Sequence, residues 1–306
     1  MMKNQPILVT GAHRSGTTWV GKMLSANRRA AYISEPLNVL HRRGVYGAEV
    51  KHWYQYITAE NEAEYLPAFE QMLNFRYHLL TELGALRTQK DFLRMGRDLS
   101  IFVNGRLNQQ AALIKDPFAV FSTPWFAQKL NCKVVITVRH PGGFASSLKR
   151  LNWQFDFRDL LQQPLLMRDH LSADRAEMES MAVDDIVGQS ALLWRIIYRA
   201  VHASRSLFPN FHIVRHEDLS LDPVAGYKLL YQSLGLTFDE KVQAIILNAS
   251  SAENPSELSK KKVHSVKLDS RANMDNWKKR LTADEITRIR RLTEDVAPLF
   301  YSDLEW

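Results

Sequence analysis

Two short stretches of this chain combine glycine, arginine and hydroxyl residues in an order suited to holding phosphate. Pro6-Ile-Leu-Val-Thr-Gly-Ala-His-Arg-Ser-Gly-Thr-Thr-Trp19 runs from an apolar segment through a glycine loop into a segment suited to open a helix. A strand feeding a helix N-terminus in this way aims backbone N–H groups and the positive end of the helix dipole at one point, where an anion belongs. The nucleotide-triphosphatase form of such a loop needs lysine after its second glycine, with a magnesium-holding hydroxyl next. Here Gly11 and Gly16 keep the spacing, Thr17 stands in the lysine's place, and the cation has moved upstream to Arg14. The best later strand, Lys133 to Arg139, ends in arginine where a magnesium carboxylate would be needed. The second stretch, Arg139-His-Pro-Gly-Gly-Phe-Ala-Ser-Ser147, again joins a strand end to a helix start. A guanidinium fork with a hydroxyl one or two helical turns later suits a second phosphate, so the ligand expected carries phosphates at two ends.

With these motifs the chain resembles the sulfotransferases that use 3′-phosphoadenosine-5′-phosphosulfate (PAPS). Arg14-Ser15-Gly16-Thr17-Thr18 is similar to their loop for the 5′-phosphosulfate, and Arg139 with Ser147 to their 3′-phosphate site. Trp19 resembles the family's adenine-stacking tryptophan, although a tryptophan entering a helix also serves as core. Ile213-Val-Arg-His-Glu-Asp-Leu-Ser-Leu-Asp-Pro223 resembles a strand followed by Tyr-Glu-Asp-Leu and a later Asp-Pro, with His216 in the tyrosine's place near the adenine. Ser270-Arg-Ala-Asn-Met-Asp-Asn-Trp277 resembles the Arg-Lys-Gly segment of cytosolic members, Arg271 alone keeping a cation for the 3′-phosphate. The resemblance covers about residues 6 to 295 and implies PAPS as co-substrate, its desulfated product PAP, and no metal.

In the implied reaction a hydroxyl attacks sulfur while the adenosine 5′-phosphate leaves with growing negative charge, so a fixed cation beside it is favoured. Arg14 is that cation, and acts as an electrostatic clamp because a guanidinium does not readily lose its proton. The Lys-Thr-His segment that supplies the base in cytosolic members is represented by Ile114-Lys-Asp-Pro117, which keeps Lys115 and has proline in the histidine's place. Tyr32-Ile-Ser-Glu35-Pro-Leu resembles instead the Glu-Pro segment of carbohydrate sulfotransferases, making Glu35 the expected general base; its alternative is an ion pair with Arg14 or Lys115. Lys115 either touches the transferring sulfonyl oxygens or balances Asp116. His13 receives no role.

The elements required to position these groups are visible as short apolar runs at Pro6–Thr10, Ala111–Ile114, Lys133–Val138 and Phe211–Val214, read as buried parallel strands. Helical periodicity fills Glu62–Leu83 and Asp184–Leu207, the latter with a stripe of Leu192, Leu193, Ile196, Ile197 and Ala200. Ser122-Thr-Pro-Trp and the capping box Thr282-Ala-Asp-Glu285 mark helix starts. This alternation predicts a three-layer α/β/α fold with a central parallel sheet, ligands lying beyond the strands' C-terminal ends. At 306 residues and 45% apolar content the chain is read as a single domain, 1–306. The irregular, charged stretch 155–185 is either an insertion or lid over the acceptor, or disordered in the free protein.

Cys132 is the only cysteine, so no intrachain disulfide forms. The residues before the first strand are too few and too polar for a signal peptide, and no run is apolar and long enough to cross a bilayer. Cytoplasmic residence without a membrane anchor is therefore expected. The net charge of +7 and pI near 9.4 raise nucleic acid as a partner. However, the densest basic runs, Lys260–Lys262 and Arg288–Arg291, lack aromatic interleaving, and a small-molecule or glycan acceptor is expected instead. The ten histidines form no metal spacing, since His216-Glu217 lacks a second histidine four residues after the first. Ser15 lacks the flanking glycines of a hydrolase nucleophile elbow. Two rival functions stay open: an atypical P-loop kinase using ATP and magnesium, and a binding protein that keeps the nucleotide pocket without turnover. The acceptor and the oligomeric state are not set by the sequence.

Overall fold

Strand β1 (Ile7–Gly11) is buried along its whole length, as its unbroken apolar run requires of a strand covered on both faces. It lies at the centre of a five-stranded sheet of order β2-β3-β1-β4-β5, with β2 Ala30–Ser34, β3 Ala111–Lys115, β4 Lys133–Val138 and β5 Phe211–Arg215. All pairings are parallel, Leu8 lying opposite Ile114 on one side and Val134 on the other. This computed structural model describes residues 5–205, 208, 210–255, 257 and 267–306. The Lys260–Lys262 run lies outside them.

Strand side chains alternate between two cores. Leu8, Ile114, Val134, Ile136 and Val138 face a large cluster shared with helices Pro141–Leu151 and Ile186–Arg205. Ile7, Val9, Leu113 and Val135 face a smaller one shared with helices Thr17–Leu24, Pro223–Ser233 and Glu240–Ser250. The architecture is thus the expected α/β/α layering. Leu192, Leu193, Ile196 and Ile197 are fully buried along one side of their helix. Thr282 accepts from Glu285 N in a complete capping box, and Pro124 stands in the first turn of helix Thr123–Lys129.

Two expectations about elements need correction. β2 was not among the predicted strands; it forms the sheet edge beside β3 and ends at Ser34, directly before Glu35. The pattern Glu62–Leu83 is not one helix but a 3₁₀ turn and two helices, Leu66–Leu73 and Leu79–Ala85. The break falls at Phe75, whose φ of 54° is left-handed and whose ring packs against Gly105 and Phe102. A further helix, Gln89–Leu107, is opened by Thr88 and Asp91 in a reciprocal cap. Residues 155–185 form short helical segments whose Phe157, Leu160, Leu166, Met167, Leu171 and Met178 are buried in the larger core. No helix among the described residues is long and apolar enough to cross a membrane.

Candidate active site

Each strand delivers a predicted site residue at its C-terminal end. Lys115 is the last residue of β3, Glu35 follows β2, Arg139 follows β4, His216 follows β5, and Arg14 lies in the loop after β1. Because β3 and β4 flank β1, the chain's crossovers diverge there, and this switch point is where ligands of open parallel sheets bind.

The loop after β1 is held by its backbone conformation. Gly16 has φ of 98°, and a Cβ there would stand 2.7 Å from the His216 ring, so glycine is required on both counts. Arg14 takes a left-handed φ of 67°, the kind of strain found where a side chain must be aimed. Arg14, Gly16, Thr17, Thr18 and Trp19 line one cavity together with Arg139, Ser147 and His216. Ser15 does not: its hydroxyl donates to Ala12 O at 2.5 Å and lies 2.7 Å from Thr137 Oγ1, fully buried. Ser15, expected within the phosphosulfate loop, thus ties that loop to β4 through its hydroxyl.

The two phosphate motifs touch. Arg14 Nε donates to Ser147 Oγ at 3.2 Å, and Arg139 Nη1 donates to Arg14 O at 3.2 Å. Arg14 also lies over the Trp153 ring, 5.7 Å from its centroid. Arg150 and Arg280, which the sequence reading did not single out, line the same cavity, while Arg271 does not. The Arg271 guanidinium, expected at the 3′-phosphate, donates to Leu221 O at 2.9 and 2.7 Å, while Arg280 lines the cavity from the next helix. Burial, then the nearby Arg139 and Arg150, push the Arg14 guanidinium down to about 10. Arg150 and Arg280 both pair with Glu257, at 3.0 and 2.7 Å. So much converging positive charge is costly unless a multiply charged anion accompanies it.

Trp19 packs 5.6 Å from His216 and edge-on to Tyr227, and its buried Nε1 has no hydrogen-bond partner among the described residues. An indole N–H so placed, beside a half-buried histidine, suits a polar heteroaromatic ring. His13 is directed elsewhere, its Nδ1 2.6 Å from the Tyr54 hydroxyl.

The other end of the site is an ion pair. Lys115 is only 2% exposed and its Nζ donates to Glu35 Oε1, while Asn38 donates to Oε2 at 2.9 Å. Glu35 has φ of 53°, and its turn is pinned by Asp116, whose Oδ2 accepts from Leu37 N at 2.6 Å and whose Oδ1 accepts from Phe118 N at 2.9 Å. Asp116 is therefore spoken for by backbone N–H groups, and Lys115 balances Glu35. Thr18 lines both this region and the arginine-rich cavity.

Three histidines around the site, His140 buried and His13 and His216 half-buried, are held toward their neutral forms. Burial holds His13 near 4 and His140 and His216 near 3, against an ordinary 6.5. The unfolded chain then binds more protons, so the stability these groups contribute is present above pH 6.5 and is lost as pH falls toward those values. Asp116, raised by burial and Glu35 to about 7 from 3.8, acts oppositely, favouring the fold at low pH and less as pH rises through that window. His140 caps helix Pro141–Leu151 by accepting from Gly142 N at 3.2 Å, a role asparagine also performs. His140→Asn should therefore lower the slope of unfolding free energy against pH by about 1.4 kcal/mol per pH unit between about pH 4 and 6. Urea titrations at a pH series check this, and an unchanged slope would show that His140 charges freely in the fold.

A glycine loop at a helix N-terminus and an arginine cluster thus line one cavity, and Thr18 joins it to a second that holds a buried lysine paired with a carboxylate. The chain belongs to the sulfotransferase family, whose model matches residues 6–240. Among characterised relatives, Carbohydrate sulfotransferase 1 of Danio rerio is 28% identical over 182 residues. That match covers 58% of this chain and 37% of the relative, so it spans little over a third of the relative's length. Among solved structures, the sulfotransferase domain of the Synechococcus PCC 7002 olefin synthase superposes with a TM-score of 0.50 at 17% identity, covering 99% of this chain and 97% of that one. Its fold is the one described above.

Proposed function

We propose that the protein transfers a sulfuryl group from PAPS to an acceptor hydroxyl, a carbohydrate or other biosynthetic alcohol. The observation that carries this reading is the convergence of Arg14, Arg139, Ser147 and the Gly16–Thr18 loop at one end of a cleft whose other end holds Glu35 and Lys115. The residues fit the donor: an excess of guanidinium groups suits its phosphates, and the orphaned Trp19 N–H beside His216 suits its adenine.

Gly16, Thr17 and Thr18 would hold the 5′-phosphosulfate at the N-terminus of helix Thr17–Leu24, where the first-turn N–H groups lack carbonyl partners inside the helix. Arg139, Ser147, Arg150 and Arg280 would hold the 3′-phosphate. When bound, the donor supplies sulfur to the acceptor oxygen, and the electron pair of the broken S–O bond goes to the 5′-phosphate. Arg14 offsets the charge growing there, Glu35 takes the acceptor's proton, and Lys115 lies beside Glu35 to orient it and face the sulfonyl oxygens. Residues 1–306 act as one domain in this reading, supported by the core that residues 155–185 share with the sheet. The cytoplasm is the proposed location, in keeping with a lone, buried thiol at Cys132.

Radiolabelled PAPS supplied with a pool of alcohols and EDTA tests the reading. Label should appear in an acceptor as PAP accumulates. Phosphoryl transfer that needs ATP and magnesium, or tight PAP binding with no transfer to any acceptor, would favour the kinase or the binding protein.

A further inference from the structure

Beyond Thr18, Glu35 and Lys115 the cleft opens into a second cavity of about 780 Å³, bounded by helix Thr17–Leu24, the Tyr32–Arg42 segment and helix Gln89–Leu107. Its charge is lopsided. Lys22, Arg42, Arg94, Arg97 and Lys115 line it, against Glu35 and Asp98. Lys115 is matched by Glu35, and Arg42 is held by Glu82. Asp98 must then serve two guanidinium groups, lying 2.7 Å from Arg97 Nη2 and 3.4 Å from Arg42 Nε. Arg94 reaches Asp91 only at 3.6 Å.

Arg94 and Arg97 stand one turn apart on the same face of their helix, with side chains 60% and 62% exposed at the cavity's rim. Across from them Lys22 projects from the helix that Thr17 and Thr18 begin. Burial, then repulsion by Lys115 and Arg97, lowers the Lys22 ammonium below its ordinary range, in keeping with the three side chains lining one cavity. Folding gains nothing from gathering like charges around a cavity, whereas an anion seated among them relieves that repulsion. The remaining titratable groups of the lining, His41 and Tyr32, are both held toward their neutral forms by burial.

Resting on the sulfotransferase reading, we infer that the acceptor is itself an anion: its hydroxyl meets Glu35 and Lys115 while a carboxylate, sulfate or phosphate elsewhere on the same molecule is held by Lys22, Arg94 and Arg97. Guanidinium pairs on one helix face suit such oxyanions, since each offers a planar fork of donors.

The test compares matched acceptors that differ only in charge, methyl glucuronide with methyl glucoside and a β-hydroxy acid with its primary amide. Wild type and the Arg94→Gln/Arg97→Gln double variant are assayed at saturating PAPS, and each compound is also titrated into PAP-loaded protein, so that a pair not turned over is still read by binding. Wild type should favour the charged member by about tenfold or more in kcat/KM or affinity, and the double variant should bring that ratio close to one, with Arg94→Lys/Arg97→Lys restoring part of it. The double variant should bind PAP as wild type does, since neither arginine lines the donor cavity and Asp98 keeps Arg42. Equal use and equal binding of charged and neutral members, with PAP still bound, would overturn the inference alone. Failure of wild type to bind PAP would instead overturn the donor assignment beneath it.

Discussion

Arg14→Ala should lower kcat by about two to three orders of magnitude while the protein folds normally, the loss typical when one preorganised donor is taken from a developing oxyanion. The side chain lines the proposed donor cavity and contacts Ser147 and Trp153, and burial, then its like-charged neighbours, already depresses its pKa. Removing it relieves repulsion among Arg139 and Arg150, so stability should change little. The structure adds a condition to the clamp role. Arg14 reaches toward Ser147, at the end of the cavity assigned to the 3′-phosphate. If its interaction matters chiefly in the transition state, kcat falls while PAP affinity drops modestly; if it serves ground-state anion binding, KM rises and kcat persists. Steady-state kinetics beside PAP titration separates the two, and unchanged kcat would remove Arg14 from the chemistry.

Glu35→Gln should lower kcat by about 10²- to 10⁴-fold, the range for loss of a positioned general base. The competing role is structural. Lys115 is nearly inaccessible and Glu35 is its partner, so the amide leaves a buried ammonium uncompensated, at a typical cost of about 3 to 5 kcal/mol. Both effects are expected together, and the pair Glu35→Gln/Lys115→Met resolves them. The double variant removes the buried charge along with its partner, so much of the stability should return while transfer stays lost. Transfer returning with stability would make Glu35 only an ion-pair partner. Denaturant melts and single-turnover transfer on the three proteins supply the comparison.

The donor side of the site was legible because its signals are local. Gly11, Gly16 and Arg139 each sit where an apolar run meets a helix start, and that junction is fixed by neighbouring residues in the chain. The parts that escaped depend on tertiary contacts. Ser15 reads as a phosphate ligand in its loop, yet Thr137 on β4 claims its hydroxyl. Arg271 keeps the family's cation in sequence, while Leu221 O captures it and Arg280 fills the cavity. Arg150 was within reach, since it lies three residues after Ser147 and so shares its helix face. β2 begins Ala30-Ala31, residues with weak strand preference, and becomes a strand because β3 offers it an edge. The second cavity was invisible for a similar reason. Lys22 lies far in sequence from Arg94 and Arg97 and comes to line the same cavity only through the fold.

The most direct test of the donor assignment is calorimetric titration with PAP in EDTA, using 5′-AMP as control ligand and Arg139→Ala as control protein. The arginine cluster predicts micromolar binding of PAP by wild type, much weaker binding of 5′-AMP, and a loss of about tenfold or more in PAP affinity for Arg139→Ala. Equal affinity for the two nucleotides, or no loss on removing Arg139, would contradict a two-phosphate ligand and with it the proposed donor.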